Sequence, residues 1–304
     1  MIWVGLAIMI VSEAMTFMQV EPFWSWNTPI AWTGFILFAD AVVYRARGHS
    51  WIRSAPREFA ALALVSIPLW VVFEGFNLVI DNWYYSGLPE NFWLRQFGYA
   101  WSFATIWPAI FEGAELIAVA LRAGGSRRAE KAGREDAVPP APPAFPALPA
   151  LPALASIFVG ALMLASPFLV SSATARYLAA PVFLGFVFLL DPINARLGGE
   201  SLWADWRSGR PDRLFNLAIS GVLCGVLWEF WNFWSRAKWH YTVPIMQRWK
   251  LFEMPLPGYF GFPAFALECF TMYVFVRLLL RYQTGPGAPP DSADARYRLQ
   301  SIGR

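Results

Sequence analysis

The sequence predicts an all-α polytopic membrane protein of about eight transmembrane helices, arranged as two tandem four-helix repeats. Three observations lead there. Of 304 residues, 57% are hydrophobic and only 15% charged, whereas a soluble domain carries about a quarter charged residues. The apolar residues gather in eight long runs. The second half of the chain restates the motifs of the first in the same order.

The runs cover residues 2–19, 29–45, 58–81, 97–121, 154–171, 177–195, 213–235 and 257–281. A spanning helix needs roughly 20 mostly apolar residues, so the first, second, fifth and sixth are short enough to be tilted, merged or partly interfacial. Barrel strands would be short and alternating, and these runs are continuous. No basic residue precedes the first run, and Met15, Thr16, Phe17 and Met18 make a poor cleavage site, so it reads as a helix and not as a signal peptide. Cys224 and Cys269 fall inside runs and read as small packing residues. His49 and His240 are the only histidines, which leaves no multi-histidine metal or haem site. Neither a metal nor a cofactor is expected.

Basic residues assign the sides. Six of the 24, namely Arg95, Arg176, Arg236, Lys238, Arg248 and Lys250, fall on one side of the alternating loops, and the rest fall on the other. Basic residues favour the cytoplasm, so both termini are expected inside, in the cytoplasmic (inner) membrane of a cell, with the tryptophan-rich loops outside. The net charge of +3 reflects this bias and does not point to nucleic acid.

Residues 122–153 pass from charge into alternating Pro and Ala, a composition that favours extended, semi-rigid chain. This expected cytoplasmic linker separates a first membrane repeat, 1–121, from a second, 154–281, with a tail at 282–304. Across it, Asp40 matches Asp191, Glu74 matches Glu229, Asn77 matches Asn232, Trp83 matches Trp239, Tyr85 matches Tyr241, Pro89 matches Pro244 and Glu112 matches Glu268, at offsets of 151 to 156 residues. Ordered matches at nearly constant offset predict a duplication. Four helices per half keep both copies in one orientation, so the expected symmetry is a parallel repeat about the membrane normal.

The matched acids carry the functional reading. An acid in a spanning helix costs about 2.5–3.5 kcal/mol on insertion scales, so four of them need partners or a task. Asn77 and Asn232 follow Glu74 and Glu229 at i+3, on the same helix face. A carboxyl kept neutral can act as a general acid. Glu229, Glu268, Asn232, Glu74 and Glu112 are therefore the candidate catalytic residues, with Asn232 orienting Glu229. Asn77, Trp83, Tyr85, Trp239 and Tyr241 are the candidate substrate-binding residues. The same acids could instead be helix–helix glue, the tryptophans an interfacial belt, and Asp40 and Asp191 caps or partners of Arg45 and Arg196. No GxSxG, Walker loop, HExxH or paired CxxC occurs, which removes the nucleophilic, nucleotide and zinc hydrolases.

An acid, then Trp-x-Tyr after its helix, then Gly and a Pro before an acid in the next helix resembles the integral-membrane lycopene cyclases of the bacterial heterodimeric and fungal type. Those also contain two related domains. The carrying residues are Glu229, Trp239, Tyr241, Pro263 and Glu268, and in the first copy Glu74, Trp83, Tyr85, Pro108 and Glu112. This chain reads "FPAFALE" and "WPAIFE" where that family typically has Pro-x-Glu-Glu. The resemblance implies isoprenoid or carotenoid chemistry, in which the acids protonate a polyene without a metal. Three functions stay open. One is a protein that binds or converts a lipophilic substrate by acid–base chemistry, in contact with membrane lipids. The second is a proton-coupled transporter, and the third is a non-catalytic membrane subunit.

Overall fold

The computed structural model describes residues 1–131 and 153–284. Among them, eight long helices fall on the eight apolar runs. They are α1 (Ile2–Phe17), α2 (Phe23–Arg47), α3 (Pro56–Ile80), α4 (Phe92–Lys131), α5 (Ala153–Ala165), α6 (Ala179–Arg196), α7 (Asp212–Trp234) and α8 (Gly261–Thr284). By length and composition, five can cross a membrane: α3, α4, α6, α7 and α8. The expected eight spans are not all of that kind. α1 has 16 residues, and the segment Ala153–Phe168 is likewise short. α2 has 25 residues but leaves helical geometry at Trp26 and carries Asn27, Thr28, Asp40, Arg45 and Arg47. In the most apolar window of α3, only 22% is buried, and Leu64 and Leu78 point outward at 68% and 88% exposure. An apolar helix with an apolar exterior is a surface suited to lipid.

Small residues set the helix pairs. α1 lies on α2 where a Cβ on Gly5 would stand 2.6 Å from the Gly34 carbonyl oxygen. α5 lies on α6 where a Cβ on Gly160 would stand 2.7 Å from that of Gly185. Such close approach is how helices adhere in lipid, which offers no hydrophobic drive for their association. Further along, α2 packs on α4 and α4 on α3, while α6 packs on α8 and α8 on α7. The two halves meet chiefly along α4 and α7. Ser220 Oγ donates to the Ile110 carbonyl at 2.7 Å beside Gly113, whose missing side chain leaves the hydroxyl its room. Trp107 Nε1 crosses to the Cys269 carbonyl at 2.8 Å. Cys224 and Cys269 are buried free thiols.

Asp40 and Asp191, near the ends of α2 and α6, each cap a short following helix, with no ion pair to Arg45 or Arg196 among the described residues. Asp40 accepts from the Ile52 N–H at 2.8 Å. Asp191 accepts from those of Leu202 at 2.8 Å and Trp203 at 3.1 Å, and from Ser201 Oγ at 2.6 Å.

Two small sheets add to the expected all-α architecture. After α3 the chain forms β1 (Trp83–Ser86), and after α7 it forms β2 (Lys238–Tyr241). They pair antiparallel across the two halves, Trp83 opposite Tyr241, Tyr84 opposite His240, Tyr85 opposite Trp239 and Ser86 opposite Lys238. A tight hairpin of β3 (Lys250–Leu251) and β4 (Met254–Pro255) follows. The expected linker begins inside a helix, since α4 continues to Lys131, and the expected second boundary at 281 falls within α8. The rest of the linker, 132–152, and residues 285–304 of the expected tail lie outside the described residues.

Candidate functional site

Each half builds a bracket around one glutamate. In the first, Glu74 Oε1 accepts from Tyr85 OH at 2.5 Å, from Trp70 Nε1 at 2.8 Å and from Trp83 Nε1 at 3.3 Å. In the second, Glu229 Oε1 accepts from Tyr241 OH at 2.8 Å and from Trp239 Nε1 at 3.4 Å, and that indole also reaches Tyr241 OH at 2.9 Å. Glu229 is fully buried, and Glu74 is half-buried. Thus the structure unites Glu74 with Trp83 and Tyr85, and Glu229 with Trp239 and Tyr241. Burial and then the neighbouring Glu74 push the Tyr85 hydroxyl well above the ordinary phenol value, and burial and Glu229 do the same at Tyr241. Both hydroxyls therefore remain protonated donors near neutral pH.

The asparagines do something other than orient acids or line a binding surface. Asn77 Oδ1 accepts from the backbone N–H groups of Asn82 (2.9 Å) and Trp83 (3.2 Å), and its Nδ2 donates to the Trp83 carbonyl at 2.8 Å. Asn232 grips Trp239 alike, accepting its N–H and donating to its carbonyl, both at 2.9 Å. With both ends of the amide committed to backbone, Asn232 forms no hydrogen bond to Glu229, which it was expected to orient, and Asn77 forms none to Glu74. Each asparagine fastens a strand to the helix that carries the acid. The other two matched acids lie apart. Glu268 is fully buried and accepts from the Phe186 N–H at 3.2 Å. It shares no hydrogen bond with Glu229 among the described residues. Glu112 is buried on α4 one turn before Glu115, which lies 3.8 Å from Arg47.

A cavity of about 550 Å³ opens between the brackets, within the roughly 300–1,000 Å³ of small-molecule sites. Its walls are largely aromatic. Trp70 and Trp228 face one another across the halves at 6.2 Å between ring centroids, and Phe183 and Phe265 pack at 5.9 Å. Trp83, Tyr85, Trp239 and Tyr241 belong to the lining. Glu74, Glu229, Asn77 and Asn232 do not, so each acid stands one side chain behind the wall, reached through its tyrosine. Trp70, missed by sequence reasoning, lies at i−4 from Glu74 on the same helix face, a spacing that was there to be read.

An ionic cluster fastens one side of the cavity. Glu253 lies 3.0 Å from Lys238 Nζ and 3.1 Å from His240 Nδ1, while His240 Nε2 and Ser86 Oγ share a hydrogen bond at 2.9 Å. Burial acts to raise the Glu253 carboxyl, but its bonds to Lys238 and His240 outweigh that and hold it below its ordinary value. Its neighbours Met254 and Pro255 line the cavity, so the cluster pins the segment that closes that wall.

Among the described residues, no group of three or more His, Cys, Asp or Glu side chains could hold a metal ion. No family model, curated protein or solved structure matches this chain.

Proposed function

We propose that this is a multi-pass protein of the cytoplasmic membrane, built by duplication of a four-helix unit, that binds a lipophilic, isoprenoid-like molecule between its halves. In this reading Glu229 handles a proton through Tyr241, and Glu74 is the structural copy. The observation that carries it is the aromatic cavity whose wall includes Tyr85 and Tyr241, each hydrogen-bonded to a glutamate behind it. Two features support the duplication. The glycine contacts recur, with Gly5 and Gly34 answered by Gly160 and Gly185. The strands β1 and β2 pair about Tyr84 and His240, and that pairing exchanges the matched residues Trp83 and Trp239, and Tyr85 and Tyr241. An antiparallel pair has a local two-fold of this kind, as a parallel repeat about the membrane normal requires. The lycopene cyclase resemblance supplies the substrate class, and the side assignment rests on the basic residues.

The four matched glutamates divide. Glu74 and Glu229 stand at the cavity, whereas Glu112 and Glu268 are buried in helix contacts, as glue would be. Acids wrapped in indoles and phenols favour a ligand site over a hydrated transport path.

The test is mass spectrometry of organic extracts from the purified protein, wild type against Ala264→Trp, which places an indole in the cavity. Wild type should carry a lipophile that Ala264→Trp lacks, and identical extracts would end the ligand reading. Glu229→Gln keeps shape but cannot release a proton. It should keep the bound species and change its chemical form in cell extracts, whereas Glu74→Gln should not. An unchanged lipid profile for Glu229→Gln assigns that acid to structure.

A further inference from the structure

We infer that the ligand of this cavity is a single-chain amphiphile with an anionic head, a carboxylate or a phosphate, seated at Arg95. The inference rests on the reading of the cavity as a ligand site and adds the polarity of its occupant. Two charged residues line the cavity, Arg95 and Lys238, and both are cations; no acid lines it among the described residues. Of the other cations on the side of Arg95, Arg176 is matched to Asp81 at 3.3 Å, Arg236 to Glu21 at 3.1 Å and Lys238 to Glu253 at 3.0 Å, while Arg248 and Lys250 are exposed and lie outside the cavity lining. Arg95 is half-buried and has no acid partner among the described residues. Its guanidinium lies 5.9 Å from the ring centroid of its own helix neighbour Phe92.

Tyr99 lies one turn further along α4 on the same face and also lines the cavity. Together they offer the planar fork of a guanidinium, which matches carboxylate or phosphate oxygens two at a time, and a phenol beside it. Beyond them the wall turns to indoles and phenyl rings, which suit a hydrocarbon chain. A cation beside an apolar cavity, with its neighbours already neutralised, is complementary to a ligand that brings its own negative charge. A wholly hydrocarbon ligand would leave Arg95 unanswered.

The experiment uses the full chain in a neutral detergent. Tryptophan fluorescence is quenched by a brominated C16 fatty acid, by the alcohol of the same chain and by the corresponding alkyl phosphate. The acid or the phosphate should quench at a concentration at least about tenfold below the alcohol, as a charge-assisted bond implies. Whichever of the two binds tighter identifies the head. Arg95→Gln should bring the anionic probe to the level of the alcohol, and Arg95→Lys should restore part of the difference. Equal quenching by acid, phosphate and alcohol in wild type would overturn the anionic head while leaving the cavity as a ligand site. A preference that survives Arg95→Gln would overturn the assignment to Arg95. Quenching by all three that is identical in wild type and Ala264→Trp would overturn both the inference and the ligand reading beneath it.

Discussion

The Glu74 bracket and the Glu229 bracket use the same three residue types and differ most plainly four residues before the acid. Four residues before Glu74 stands Trp70, whose indole donates to the carboxyl at 2.8 Å. Four residues before Glu229 stands Gly225, where any Cβ would overlap the ring of Phe262 from α8. The first bracket spends a position on a third donor, and the second spends it on helix packing. One oxygen of Glu74 thus takes three donors, while that of Glu229 takes two, one of them long, in a site closed to water. More donors on a carboxylate hold it in place, so the Glu74 carboxyl is the more firmly fixed of the two, and the proposed working role falls to Glu229.

The largest expected effect tests whether the brackets are also unequal as structures. Asn232 is fully buried and holds both the N–H and the carbonyl of Trp239. Asn232→Ala leaves a donor and an acceptor unanswered, at about 2–4 kcal/mol for two such groups, seen as a drop in the thermal midpoint in detergent. Asn77→Ala removes three bonds but at a half-buried position that water can reach, and should cost less. Equal losses would make the brackets equivalent and remove the basis for ranking them.

A smaller effect sharpens the same contrast through two glycines. Gly225→Ala forces the Phe262 ring to move, and overpacking of this kind costs about 1–3 kcal/mol. Gly75, directly after Glu74, has no atom within 4 Å of its missing Cβ. Gly75→Ala should gain roughly 0.5–1 kcal/mol from helix propensity. Opposite signs in the same unfolding measurement are expected. A destabilised Gly75→Ala would mean that the first helix face is covered by something beyond lipid.

Much of this was legible because lipid imposes few rules. Apolar length marks helices, and each of the eight runs became a helix, though α4 continues well past its expected end to Lys131 and, among the described residues, only five are long and apolar enough to cross by themselves. The Glu-to-Trp-x-Tyr association was also legible, because nine to twelve residues are enough to leave the helix and fold back beside it. The ribbon was not. Strands of four residues carry too little periodicity to stand out, and β1 and β2 exist only because each finds the other across the molecule. Without the ribbon, the asparagine at i+3 looks like a partner of the acid, when its partner is the backbone returning past it. Glu268 and Glu112 share their spacing with Glu74 and Glu229 but lie apart from the brackets, since repetition in sequence marks matched positions without telling which of them share a site.

The smallest expected effect asks whether the closing segment belongs to the second bracket. Glu253 ties that segment to Lys238 and His240 of β2, and the matched strand β1 has no comparable ion pair among the described residues. Its carboxyl lies below the ordinary value of 4.5 in the folded protein, because its bonds to Lys238 and His240 outweigh the opposing effect of burial. A depressed carboxyl stabilises the fold at pH values above its unfolded value. The contribution fades as pH falls through the lower folded value, where protonation takes both partners away. Wild type should therefore lose thermal midpoint on acidification below about pH 4.5 more steeply than Glu253→Gln, which has no charge to lose. At neutral pH the variant should be about 1 kcal/mol less stable, the scale of a partly exposed pair. Parallel curves for wild type and variant would show that Glu253 contributes nothing through its charge. The second bracket would then be closed by Met254 and Pro255 packing alone, with no help from the charge of Glu253.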